Sequence, residues 1–194
     1  MAALAAADAL LTLSGHRRQQ VWDATAQRRA PALLKGVPIL EPPLKLPLAP
    51  EGEEIVGDYA SLGFTLRRHP LALLRPRLAR MKLSSAEQLR DLPSGRTVRA
   101  CGIVMGRQRP QTAHDTLFVT LEDETGSVNV IVWKNVVEAW REQVLKSQLL
   151  AVQGTWQRDV DSGGEVRHLV ATGFRDLTPL LGRLAKSSRS RDFH

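Results

Sequence analysis

Leu117-Phe118-Val119-Thr120-Leu121-Glu122-Asp123-Glu124-Thr125-Gly126-Ser127-Val128-Asn129-Val130-Ile131-Val132-Trp133 reads as two strands and the turn that joins them. Leu117, Val119 and Leu121 alternate with Phe118, Thr120 and Glu122, and Val128, Val130 and Val132 alternate with Asn129, Ile131 and Trp133. A period of two places the two sets on opposite faces of a sheet. The Leu/Val set therefore packs inward, and Phe118, Asn129 and Trp133 look outward. Asp-Glu-Thr-Gly supplies the reversal, with Gly126 free to take a positive φ.

Working outward, Val98–Gly106 reads as a preceding strand, and Gln148–Arg158 and Val166–Leu177 read as two following ones. Between the third and fourth strands the period changes. Val136, Val137, Trp140 and Val144 fall at helical spacing, with Glu138, Arg141 and Glu142 between them, so Lys134–Val144 is expected to be an amphipathic helix plugging one end of a barrel. Five short strands with a helix between the third and fourth predict an OB-fold, a closed barrel that commonly holds single-stranded nucleic acid. A small β-meander with an inserted helix is the rival arrangement. The fold class is α+β.

The 194-residue chain has a formal net charge of +7 and a pI near 10.3, but the excess does not lie on the barrel. Residues 93–178 carry ten Lys and Arg against ten Asp and Glu. The surplus sits in residues 59–92, with seven basic and two acidic, and in residues 179–194, with four basic and one acidic. Such charge favours phosphate backbones and acidic protein surfaces alike. The single cysteine, Cys101, excludes an internal disulfide and any zinc site built of cysteines. It reads as a small buried strand residue. His16, His69, His114, His168 and His194 show no ligand spacing, so no metal and no cofactor is expected. No stretch approaches the 18 apolar residues of a membrane span, and the short apolar start reads as helix rather than signal peptide, so a cytoplasmic location is expected.

Upstream of the barrel, Ala2–Leu13 and Arg17–Ala26 read as helices separated at Ser14-Gly15. Residues 31–50 hold six prolines and read as an extended linker. Glu51–Leu66 is expected to be one helix. Pro70 opens another through Leu83, interrupted at Pro76. Ser84 and Glu87 have capping-box spacing. The expected organisation is a helical segment over 1–30, the proline-rich linker over 31–50, a basic helical segment over 51–92, the OB domain over 93–178, and a basic flexible tail over 179–194.

Leu66-Arg67-Arg68-His69-Pro70-Leu71-Ala72-Leu73-Leu74-Arg75, the 118–133 run and the ending Ser190-Arg191-Asp192-Phe193-His194 together resemble the C-terminal region of the error-prone bacterial C-family DNA polymerase, the damage-tolerant paralogue of the polymerase III alpha subunit. Ala7–Ala24 resembles the tail of the helix-hairpin-helix region of that family. The resemblance implies an accessory region for damage-induced translesion DNA synthesis. Its partners would be template single-stranded DNA, the polymerase body and other lesion-bypass proteins, with no membrane. Polymerase catalysis needs carboxylates that hold two Mg²⁺ ions. The lone Asp159-Val160-Asp161 falls in a loop between strands, so the chain by itself is expected to be no enzyme. It reads as a piece without the catalytic body, from a gene fragment or a split reading frame.

The expected binding residues follow from the barrel. Phe118, Asn129 and Trp133 lie on strands 2 and 3, where a base can stack on an aromatic ring; packing against a helix is the competing role. Arg107 and Arg109, with His114, lie in the loop joining strands 1 and 2, and Arg158 and Arg167 flank the loop joining strands 4 and 5. These two loops rim the cleft of an OB-fold, and solvated loop charges are an equal reading of these residues. Arg67, Arg68, Arg75, Arg77 and Arg80 make the densest basic cluster, suited to phosphates and at least equally to a solvated helix face or a contact with the polymerase body. His69 before Pro70 reads as a residue that packs or caps a helix start rather than a catalytic one. Gln88-Leu89-Arg90-Asp91-Leu92 faintly resembles a sliding-clamp-binding peptide but lacks its terminal aromatic, and an ordinary amphipathic helix fits it better. A protein-interaction module recruiting lesion-bypass partners stands as the alternative function, kept open by the neutral barrel.

Overall fold

The structure, a computed structural model, describes residues 1–26, 42, 44–110, 116–159, 166–186 and 191–193. The chain divides into two compact units, Met1–Arg67 and Arg68–His194. The boundary falls inside the 51–92 segment.

The first unit holds α1 (Ala2–Ala6), α2 (Leu11–Ser14), α3 (Arg17–Ala26) and α4 (Glu51–Leu62). The expected helix over Ala2–Leu13 is broken because Asp8 turns to φ 59°. Its carboxylate there accepts hydrogen bonds from Gln20 Nε2 at 2.8 Å and Arg67 Nη2 at 2.7 Å. Helix α4 stops at Leu62 rather than Leu66, since Gly63 takes a left-handed cap with φ 80° and donates to the Tyr59 carbonyl. The hub of this unit is Asp58, only 3 % exposed. It accepts from Thr65 Oγ1 at 2.6 Å, from Arg67 Nη1 at 2.7 Å and from Arg17. Burial pushes against its ionisation, but these hydrogen bonds from Thr65, Arg17 and Arg67 hold the carboxyl below the usual range.

The second unit opens with α5 (Pro70–Arg80) and α6 (Ala86–Arg90). Pro70 sits at the start of α5, where a missing N–H costs nothing. The helix runs through Pro76 without the expected interruption. The capping box lies one residue later than its expected place: Ser85 Oγ accepts the Gln88 N–H at 3.3 Å and Gln88 Oε1 accepts the Ser85 N–H at 3.0 Å. Ser84 is held back because it bridges alongside Ala100 and donates to the Arg99 carbonyl.

Six strands follow: β1 (Thr97–Gln108), β2 (Leu117–Asp123), β3 (Gly126–Val132), β4 (Leu149–Arg158), β5 (Arg167–Asp176) and β6 (Arg191–Phe193). The first five close into a barrel in the order β2-β3-β5-β4-β1, with β1 pairing back onto β2. Its α+β, OB-type arrangement is the one read from the strand order. Strand β1 is long enough to serve both neighbours. Its first half pairs with β4 (Thr97 opposite Thr155), its second with β2 (Gln108 opposite Phe118), and an irregularity falls between Val104 and Gly106. Gly102 lies where β1 crosses β2. A Cβ there would stand 2.8 Å from Leu121 Cβ and 2.9 Å from the Glu122 nitrogen, so closure requires a residue without a side chain. The parallel pair β3–β5, with Val130 opposite Leu169, completes the ring.

The inward set is the one the alternation predicts. Val119, Leu121, Val130, Val132, Leu150 and Leu169 form the buried core with Val152, Trp156 and Phe174. Ala86 and Leu89 of α6 join that core, which removes Leu89 from any exposed peptide motif. The predicted single helix over Lys134–Val144 is two short ones, α7 (Lys134–Ala139) and α8 (Arg141–Lys146), separated at Trp140 with φ −120° and ψ 30°. Val137 and Val144 plug the barrel as expected, but the break leaves Trp140 36 % exposed. Within the segment expected as a tail, Thr178–Lys186 forms a 3-10 stretch that buries Leu181 and Leu184, and β6 lies parallel to Gly106–Gln108 of β1.

Candidate nucleic-acid interface

The outward face of β2 and β3 is a ladder of side chains in register. Phe118 stands opposite Ile131, Thr120 opposite Asn129, and Glu122 opposite Ser127. Phe118 and Ile131 are half-buried, while Asn129 and Ser127 are exposed. Gln108 of β1 flanks Phe118 on its other side. Thr120 Oγ1 and Asn129 Oδ1 lie 3.4 Å apart. Trp133, 52 % exposed, follows at the end of β3. An aromatic ring, an aliphatic neighbour and two amide or hydroxyl groups on one open face can take a stacked base and its polar edge. The alternation already placed Thr120 and Ile131 on this face, whereas Gln108 joins it only through the pairing of β1 with β2.

The rim arginines divide. Arg107 is 6 % exposed and turns inward. Its Nε donates to the Val144 carbonyl at 2.7 Å and its Nη2 donates to the Ser147 carbonyl, so it caps the end of α8 rather than reaching for a ligand. The residue lies within β1, not in the following loop, and the inward-facing phase of the strand after the irregularity carries it under the helix. Arg109 is exposed beyond β1. Arg158 and Arg167 stand directly opposite each other on β4 and β5. Both donate to the Arg90 carbonyl at the end of α6, Arg167 at 3.4 Å. His114 and the body of the strand 4–5 loop lie outside the described residues.

The basic cluster divides too. Arg67 belongs to the first unit, where Asp58, Asp8 and Glu54 surround it at 2.7, 2.7 and 3.1 Å. Arg75 is held by Glu124 and Asp123 and projects toward the β2–β3 turn. Arg68, Arg77 and Arg80 remain exposed. His69 caps α5 as read: its Nδ1 accepts the Leu71 N–H at 3.2 Å, and its Nε2 lies 3.6 Å from Glu122 Oε1. Burial pushes the His69 pKa down, against the pull of Glu122, Glu124 and Asp123. Cys101 is buried, and burial pushes its thiol up to about 12, which leaves it unreactive. Among the described residues no cluster of His, Cys, Asp or Glu could hold a metal ion, and no helix is long and apolar enough to cross a membrane.

A closed five-stranded barrel with this open β2–β3 face is an OB-fold, and residues 98–177 match the family of OB-fold nucleic acid binding domains. Over its whole length the chain corresponds to the C-terminal part of the error-prone DNA polymerases. It is 52 % identical to the error-prone DNA polymerase of Ralstonia nicotianae, a match covering 100 % of this chain and 18 % of that protein. The same comparison gives 50 % identity with the enzyme of Bordetella parapertussis over 99 % of this chain and 18 % of the relative. The chain thus spans less than a fifth of the length of these curated relatives. Among solved structures it is similar to asparaginyl-tRNA synthetase from Pyrococcus horikoshii, with a TM-score of 0.41 and 22 % identity over 50 % of this chain and 23 % of that one.

Proposed function

We propose that the barrel binds single-stranded DNA without sequence preference, as an accessory region of an error-prone DNA polymerase in translesion synthesis. The observation that carries this reading is the Phe118 ring, half-open beside Ile131 and two register positions, the next on the same face, from the Thr120–Asn129 pair. Bases stack on Phe118, Asn129 reads a base edge or sugar without selectivity, and Trp133 and Arg109 extend the path at the end of the face. The chain itself performs no nucleotide transfer. The template strand, the cytoplasmic setting and the polymerase body as neighbour all belong to this proposal.

The test is binding of a labelled dT oligonucleotide by fluorescence anisotropy over a salt series. Phe118→Ala should weaken binding by roughly 1–3 kcal/mol, the usual contribution of a stacked base. Near-ultraviolet circular dichroism must first show that the variant is folded. A folded Phe118→Ala chain that binds like wild type removes the reading.

The equal numbers of basic and acidic residues over 93–178 support a second reading, a protein-interaction module for lesion-bypass partners. Oligonucleotide affinity without a salt slope would favour it, since phosphate contacts release counterions.

A further inference from the structure

The neutral charge of the barrel conceals an uneven distribution. Where β1, β4 and β5 lie side by side the barrel carries two clefts that share Arg99 and Gln153. One, of about 290 Å³, is walled by Arg99, Gln153, Thr172, Gly173, Arg175 and Trp140. The other, of about 330 Å³, continues past Arg99 to Arg96, Thr97, Ser84 and Lys82. No carboxylate lines either cleft among the described residues. The side chains of Lys82, Arg96, Arg99 and Arg175 make no hydrogen bond or ion pair with any described residue. These four cations stand in contrast to Arg67, Arg75 and Arg107, each of which is bound to protein acceptors.

We infer that this groove is a second nucleic-acid site, in which Lys82, Arg96, Arg99 and Arg175 hold successive phosphates and the Trp140 indole takes a base. The geometry supports the aromatic role. The break between α7 and α8 lifts Trp140 out of the plug and leaves its ring over β5. A Cβ built on Gly173 would stand 3.8 Å from Trp140 Cζ2. That is an ordinary van der Waals distance, and Gly173 is not among the positive-φ residues, so a side chain placed there would lie against the indole. Gln153 and Ser84 add neutral donors, which suit phosphate and sugar oxygens, while the Thr172 hydroxyl donates to the Gln153 carbonyl at 3.2 Å. An acidic peptide would use the cations but has no need of an open indole beside them. Lys82 is itself held at φ 58°, a left-handed position where glycine is the easier residue, and it lines the second cleft.

The experiment uses the full chain with Phe118 intact and a labelled dT oligonucleotide, with poly-glutamate as a competing polyanion. The double variant Arg99→Gln, Arg175→Gln should weaken oligonucleotide binding about tenfold. It should also flatten the salt slope by roughly 1.4, about 0.7 for each single-strand phosphate contact. Gly173→Val, which fills the cleft without touching charge, should weaken binding at an unchanged slope, and Trp140→Ala should do the same. Folded variants that bind like wild type overturn the site. Loss of poly-glutamate binding in the double variant, with oligonucleotide affinity indifferent to Gly173→Val and Trp140→Ala, also overturns it and points to an acidic protein. Phe118→Ala reports on the β2–β3 face alone, so failure of either site is visible without the other.

Discussion

Asp123 Oδ2, in the turn between β2 and β3, accepts the backbone N–H of Ala86 at 2.8 Å, so the barrel's own hairpin caps α6, whose Ala86 and Leu89 join the core. The same oxygen takes Arg75 Nη2 at 3.1 Å. The other oxygen takes the Thr125 N–H at 2.8 Å, the Thr125 hydroxyl at 2.7 Å and the Gly126 N–H at 3.1 Å. One buried carboxylate thereby closes the turn, anchors α6 and fixes α5.

Removing that carboxylate leaves several buried donors without an acceptor. Asp123→Ala is expected to cost about 3–5 kcal/mol, the range for breaking a buried charged network. Urea denaturation of the chain checks it. Asp123→Asn, which keeps one acceptor oxygen, should lose less.

Arg107 is expected to act on stability and not on binding. Arg107→Ala leaves the Val144 and Ser147 carbonyls unpaired, at about 2–3 kcal/mol. Under conditions where the variant is folded, its affinity for a dT oligonucleotide and its salt slope should equal those of wild type. A slope lower by one phosphate would show that the side chain turns outward.

The His69 cap makes stability pH-dependent. Its Nδ1 can accept the Leu71 N–H only when unprotonated, and its folded pKa lies below the ordinary 6.5. The unfolded chain binds more protons between the two values. The contribution is therefore complete above about pH 6.5 and fades as pH falls through the folded pKa. Thermal melts from pH 8 to pH 5 should show this loss. His69→Asn, which caps without titrating, should remove that part of the pH dependence.

Lys82 occupies the left-handed position of a helix-ending motif. Its N–H donates to the Ala79 carbonyl at 2.9 Å, and Leu83 N–H donates to the Leu78 carbonyl at 3.1 Å. Lys82→Gly should raise stability by about 1 kcal/mol, because a side chain is strained there and glycine is not. The same substitution should weaken oligonucleotide binding if the ammonium meets a phosphate. Opposite signs in a melt and a binding curve are the result to look for.

The strand alternation at 117–133 determined the inward face of β2 and β3, because a period of two admits a single such face and the Leu/Val set could fill only the core; closure into a barrel rather than an open meander rests on β1 pairing with both β2 and β4. The cap at His69 and the helices' apolar residues were legible for the same local reason. The fate of the arginines was not. Arg107, Arg109 and Arg158 look alike in sequence. Yet burial beneath α8 commits the first to backbone carbonyls, exposure frees the second, and the end of α6 takes the third. Trp140 read as core until the helix broke beside it. The groove joining Lys82 and Arg96 to Arg99 and Arg175 exists only once β1, β4 and β5 lie side by side. Local periodicity depends on neighbours along the chain, whereas the use of a charge depends on which acceptors the fold brings within about 3 Å of it.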